Sequence, residues 1–192
     1  MSRLFIAINL PEEAKQELER VKQEIIGSFP EGAGARVGKW VRQKNLHITL
    51  LFIGQAPNEK VNEVVELARQ AVGEREPFRI KLSRICYGPK AKGIPRLIWA
   101  EIEENKALKH LAASLHRQFS MFSNPITKHS FAGHITLCRL RQWAWKRLEP
   151  EERPTLQREL GVEFEAGSVE VMESKLRPQG PEYQIVSSIK LL

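Results

Sequence analysis

The sequence predicts an α+β fold made of two similar halves. Each half would be a small, mostly antiparallel sheet with helices outside, and the two would meet at a central cleft. Three observations carry this expectation. First, His47-Ile48-Thr49-Leu50 recurs letter for letter as His134-Ile135-Thr136-Leu137, 87 residues later. Second, both copies close the same series of strand, helix, loop and His-x-Thr strand, with the leading strand starting near Arg3 in one half and near Arg96 in the other. Third, helical stripes alternate with strand-like runs, yet the strands pair as apparent hairpins. This is a duplication of about half the chain each, not a solenoid array.

Residues 3–10 are a continuous apolar run and read as a buried strand. Pro11, Glu12 and Glu13 open a helix, because proline suits the first turn and acids suit the positive end. Ala14, Leu18, Val21 and Ile25 give it one apolar stripe, and Pro30 with Gly32-Ala33-Gly34 begins a loop. Trp40-Val41 leads into the first His-x-Thr strand, Leu46 to Ile53, which runs out at Gly54. A second helix starts at Pro57-Asn58-Glu59, carries Val61, Val64, Val65, Ala68 and Val72 on its inner face, and stops at Gly73. Phe78, Ile80 and Leu82 alternate with Arg79, Lys81 and Ser83, the pattern of a half-buried strand. A basic loop follows over Gly88–Gly93, then a strand from Leu97 to Ile102. Leu108, Leu111, Ala112, Leu115 and Phe119 mark a third helix. A polar loop, Ser123 to Ser130, precedes the second His-x-Thr strand, Ile135 to Leu140. Leu156 and Leu160 suggest a short helix. Val162–Val171 and Ile185–Leu191 are closing strands with a turn around Pro178–Pro181 between them.

At 192 residues with 42% hydrophobic and 28% charged content, the chain has the size and balance of one globular domain, 1–192. A net charge of +7 suits an anionic partner such as RNA without requiring one. Cys86 and Cys138 form neither a Cys-x-x-Cys pair nor a Cys/His cluster, which argues against a zinc site and a disulfide framework. By strand parity Cys138 would share a face with Thr136, although a buried, inert thiol is the simpler expectation. Leu4–Leu10 is too short for a signal-peptide core and no run reaches membrane-spanning length, so a cytoplasmic monomer is expected.

Successive side chains of a strand point to opposite faces, so His47 and Thr49 share one face and Ile48 and Leu50 take the other; His134 and Thr136 behave alike. Two such strands side by side would line one groove with two imidazoles and two hydroxyls. One imidazole can be neutral and accept a proton while the other is charged and donates. The hydroxyls can donate to phosphate oxygens as charge builds. That combination suits metal-free phosphoryl transfer at a ribose. No Lys-Ser/Thr phosphate loop, Gly-x-Ser-x-Gly elbow or His-Glu-x-x-His is present, and two histidines are too few for a secure zinc site. His110 and His116 stand six apart on the third helix and are read as structural, and His129 as a loop residue.

The paired motifs resemble those of the two-histidine (2H) phosphoesterases, and the chain is similar to the RNA 2′,3′-cyclic phosphodiesterases, also called 2′–5′ RNA ligases. The resemblance rests on residues 3–13, on Trp40–Leu50, on Phe131–Leu137 and on Glu173–Pro178. It implies a bilobal, pseudo-twofold fold with the motifs facing each other. It implies opening of a terminal ribose 2′,3′-cyclic phosphate on RNA to a 2′-phosphomonoester, without metal or nucleotide cofactor. By that carry-over His47 is the proton donor, His134 the acceptor that activates water, and Thr49 and Thr136 hold the phosphate. Arg139 stands where the family often carries a phosphate-contacting arginine. Reversible, ATP-independent 2′–5′ RNA ligation is implied as well. Gly133 replaces the family's usual proline and would loosen the presentation of His134. An RNA-end binding module without turnover, or a 2H esterase acting on a small nucleotide cyclic phosphate, are the competing readings.

Trp143 and Trp145 lie two apart among Arg139, Arg141, Lys146 and Arg147. On an extended segment both rings would point the same way, as rings that stack on RNA bases do, making them candidate substrate-binding residues. The competing expectation is that the tryptophans cover a core edge.

Overall fold

A computed structural model describes residues 1–89, 93–120, 131–156, 158–178 and 180–192. The centre of the basic loop, the polar loop 123–130 and His129 therefore lie outside the described residues.

The strands are β1 (Ser2–Asn9), β2 (Gly38–Trp40), β3 (His47–Ala56), β4 (Phe78–Gly88), β5 (Leu97–Ile102), β6 (His134–Leu140), β7 (Glu163–Ala166), β8 (Ser168–Arg177) and β9 (Gly180–Lys190). The helices are α1 (Glu12–Gly27), α2 (Ala33–Arg36), α3 (Val61–Val72), α4 (Lys106–Gln118) and α5 (Gln142–Lys146). The strands run in the order β7-β4-β5-β6-β3-β1-β8-β9, with β2 beside β6. Every pairing is antiparallel. The α+β, two-lobed expectation holds, with the two sheets joined edge to edge. The seam is a single bridging pair, Ile48 with Ile135, between the two His-x-Thr strands.

The two halves of the sequence are not the two lobes. Strand β2 comes from the first half and pairs with β6 of the second. The C-terminal hairpin β8–β9 joins β1 of the first. Helix α1 is pinned to the start of the first motif by the buried Lys22, whose Nζ donates to the Val41 carbonyl at 3.0 Å. Such exchange ties the lobes more firmly than one bridging pair could.

Helix α1 forms as its sequence dictates, with Pro11 before it and Glu12 and Glu13 in its first turn. Ala14, Leu18, Val21 and Ile25 are buried, and each larger side chain contributes about 1.5–3 kcal/mol. Helix α3 buries Val64, Ala68 and Val72 as the stripe requires, and Gly73 follows it. Helix α4 is capped by Asn105, whose Oδ1 accepts from the Leu108 N–H at 2.9 Å. It buries Leu108, Leu111, Ala112 and Leu115. β1 is buried on both faces because Leu4, Ile6 and Ile8 join the main core while Phe5 and Ala7 pack with Met172 and Tyr183 on the other side.

Three local expectations are corrected. The segment around Leu156 and Leu160 is extended rather than helical. It runs along β4, with the Ile85 N–H donating to the Arg158 carbonyl and the Leu160 N–H to the Ser83 carbonyl, both at 2.9 Å. The spacing of two leucines fits a helix, but the open edge of β4 offers main-chain partners. The expected strand 162–171 is split at Gly167 into β7 and β8, which lie at opposite ends of the sheet. Arg141–Arg147 is also not extended: Gln142–Lys146 is a short helix, so residues two apart face different ways. Trp145 is buried against Tyr87, with ring centroids 5.0 Å apart. Trp143 is 54% exposed, with Arg147 over its ring at 5.2 Å.

Candidate active site

The two His-x-Thr strands carry the same defect at the same motif position. Opposite β1, Ala7 pairs with Thr49 and Ile6 with Leu51, leaving Leu50 as the extra residue of a bulge. Opposite β5, Trp99 pairs with Thr136 and Ile98 with Cys138, leaving Leu137 as the extra residue. A bulge resets the alternation of side chains. Two consecutive residues then face the core, Leu50-Leu51 in one strand and Leu137-Cys138 in the other. The residue after them returns to the His/Thr face. In β3 that residue is Phe52; in β6 it is Arg139.

The bulge corrects the simple parity count for Cys138. Its side chain is fully buried, and burial pushes the thiol up to about 12, so it takes no part in the groove. Arg139 lines the groove instead, with His47, Thr49, His134 and Thr136. Trp143 and Trp145 do not line it. Among the described residues, no three His, Cys, Asp or Glu side chains cluster as metal ligands would.

Each imidazole is oriented by the carbonyl two residues before it. His47 Nδ1 is 2.7 Å from the Asn45 oxygen, and His134 Nδ1 is 2.8 Å from the Ala132 oxygen. A carbonyl only accepts, so Nδ1 carries the proton in both rings and Nε2 is left to react. His47 Nε2 lies 3.0 Å from the Thr49 hydroxyl. His134 Nε2 meets no protein group among the described residues. Each ring also rests on aromatic neighbours. Phe5 and Tyr183 flank His47 at centroid distances of 5.1 and 5.2 Å, and Trp99 lies 4.4 Å from His134. The Trp99 indole N–H donates to Cys86 Sγ at 3.0 Å. Its ring lies so close to Gly88 that a Cβ there would fall 2.4 Å from it, so only glycine fits.

Both imidazoles keep an edge open to the groove, but protein encloses the rest. Burial pulls His47 down to about 4; the Asn45 carbonyl opposes this, while the Arg139 and His134 charges add to it. Burial likewise lowers His134, against the Ala132 carbonyl and with Arg139. His47 therefore titrates well below the ordinary imidazole value near 6.5. Burial raises the Tyr183 phenol, and Arg139 and Arg3 act against it.

Gly133 does not use the backbone freedom expected to loosen His134, since its φ is not positive. It sits tightly instead, where a Cβ would lie 3.1 Å from Leu108 Cδ2.

Several groove residues carried no sequence signal, among them Lys39, Arg42 and Tyr183. Asn45 and Ala132 could have been found, since each stands two residues before a motif histidine, but only their backbone oxygens matter to the rings. Asn45 adds a second link: its buried carboxamide donates from Nδ2 to the Pro181 carbonyl at 2.9 Å, fastening the tip of the β8–β9 hairpin over the groove.

The chain is similar to several known proteins. The sequence profile of LigT-like phosphoesterases matches residues 8–99. An RNA 2′,3′-cyclic phosphodiesterase of Aquifex aeolicus is 29% identical over 98% of this chain and 97% of its own. One from Thermus thermophilus is also 29% identical, over 98% of this chain and 90% of its own. A crystal structure of a Thermus thermophilus protein superposes with a TM-score of 0.80 at 28% identity, covering 98% of this chain and 97% of that one. Escherichia coli LigT complexed with phosphate shares the fold at a TM-score of 0.74 and 22% identity, with 99% and 97% covered. The duplicated motifs, the two-lobed sheet and these matches together make the chain similar to the LigT-like phosphoesterases.

Proposed function

We propose that this phosphoesterase opens the terminal 2′,3′-cyclic phosphate of RNA to a 2′-phosphomonoester. The observation that carries the proposal is the matched pair of imidazoles, each held at Nδ1 by a carbonyl, with Nε2 turned to a groove that also holds two threonines and Arg139. His134, whose Nε2 meets no protein group among the described residues, takes a proton from water as the water oxygen bonds to phosphorus. The bond from phosphorus to the 3′ oxygen breaks. His47 gives its Nε2 proton to that oxygen, leaving a 3′-hydroxyl and a 2′-phosphate. Thr49, Thr136 and Arg139 take up the charge building on the phosphoryl oxygens.

His47 must be protonated to serve as the acid, although burial holds it near 4. The entering phosphate anion supplies the missing charge and raises both imidazoles toward neutrality. A 5′-hydroxyl in place of water, deprotonated by the same His134, would give a 2′–5′ linkage without ATP. Incubation with an oligoribonucleotide ending in a 2′,3′-cyclic phosphate, chelator present, tests the reading. The expected product is the 2′-phosphate; a 3′-phosphate would reverse which bond breaks, and no turnover would refute the activity.

A further inference from the structure

A second depression opens off the groove and shares Arg42 and Gly180 with it. Lys44, Arg177 and Glu182 complete its walls. Arg177 Nε lies 3.3 Å from the Glu182 carboxylate, and the exposed Lys44 adds a further positive charge to the basin. Lys44 and Arg177 stand exposed on opposite sides.

The basin is rigidly placed relative to the reacting groups. Lys44 belongs to a 3₁₀ turn, Gln43–Asn45, directly before β3. Asn45 at the end of that turn does two things at once. Its backbone oxygen holds His47 Nδ1, and its buried side chain holds Pro181 in the hairpin tip, where Arg177 pairs with Gly180. One residue therefore sets the spacing between the catalytic imidazole and both walls of the basin. The groove beside His47 mixes cations, Lys39, Arg42 and Arg139, with the rings of Trp40 and Tyr183. The basin has cations and no aromatic ring, the composition that tracks a nucleic-acid backbone and ignores base identity.

We infer that this basin holds the phosphate upstream of the terminal nucleotide, so that the preferred substrate is a single-stranded oligoribonucleotide rather than a free cyclic nucleotide. The inference rests on the cyclic phosphodiesterase reading above. A free nucleoside 2′,3′-cyclic phosphate has its only phosphate between the histidines and nothing to place in the basin.

The test compares the full chain with a Lys44→Gln/Arg177→Gln variant, both positions being exposed and outside the catalytic groove. Two substrates are used, a nucleoside 2′,3′-cyclic phosphate and a tetranucleotide ending in one. Binding of a labelled tetranucleotide ending in a 2′-phosphate is followed in parallel at several salt concentrations. The unmodified protein is expected to favour the tetranucleotide by about tenfold or more in kcat/KM at low salt. The variant should lose that preference while its rate on the cyclic nucleotide stays unchanged. Its plot of log affinity against log salt should flatten by about 0.7 for each phosphate that is no longer neutralised. A preference that survives in the variant, an equal loss on both substrates, or no preference at the outset would overturn the inference. If the unmodified protein turns over neither substrate, the cyclic phosphodiesterase reading fails, and the binding arm alone still decides whether the basin takes a phosphate.

Discussion

Replacing His47 by glutamine separates two consequences of its burial. In the folded protein the ring titrates at about 4 rather than at its ordinary 6.5. The unfolded chain therefore takes up the proton first as pH falls. Stability from the neutral ring is complete above about 6.5 and drains away as pH drops through the folded value. At about 1.4 kcal/mol per unit, the whole shift is worth at most about 3–4 kcal/mol. Between pH 7.5 and pH 4.5 most of that, about 2–3 kcal/mol, is lost. Urea unfolding at these two pH values is the assay. The unmodified protein should lose about 2–3 kcal/mol more than His47→Gln, with equal m-values. His134, shifted the same way, stays in both proteins and cancels. The same variant should lose cyclic-phosphate opening by about 10²-fold or more, because the acid is gone. Parallel loss of stability in the two proteins would falsify the enclosed, neutral imidazole. Retained activity in a folded variant would remove His47 from the mechanism.

The remaining expectations concern pH, cofactors and the tryptophans. Because both imidazoles are lowered by burial, kcat/KM should peak on the acid side of about 6.5, and bound phosphate should move the kcat profile to higher pH; an alkaline optimum in both would refute this. Hydrolysis should proceed with EDTA and without ATP, since the groove offers two histidines and two threonines, a poor ligand set for a catalytic metal; strict dependence on an added divalent ion would make the histidines ligands. Trp145→Ala should lower stability by about 3–5 kcal/mol, whereas exposed Trp143→Ala should change it by no more than about 0.5 kcal/mol; thermal or urea unfolding of the two variants checks the contrast, and similar losses would count against it.

The chain sequence by itself determined the elements whose local period is sustained over several repeats. Alternation every two residues placed His47 with Thr49 and His134 with Thr136 on one face, and stripes at helical spacing located α1, α3 and α4. Those patterns are written in neighbouring residues and need no partner to be read. What depends on a partner strand was out of reach. A bulge exists only relative to the strand it is paired with, so nothing in Leu137-Cys138-Arg139 says that Cys138 turns to the core and Arg139 to the groove. Trp143 and Trp145 are assigned to different surfaces because five residues close into one helical turn against Tyr87, a contact 58 residues away. The basin beside the groove needs Asn45 to meet Pro181 across 136 residues. Local sequence chose the reacting groups, while tertiary pairing set which way each faces, how far its titration moves and what stands beside it, because those properties belong to the space between elements.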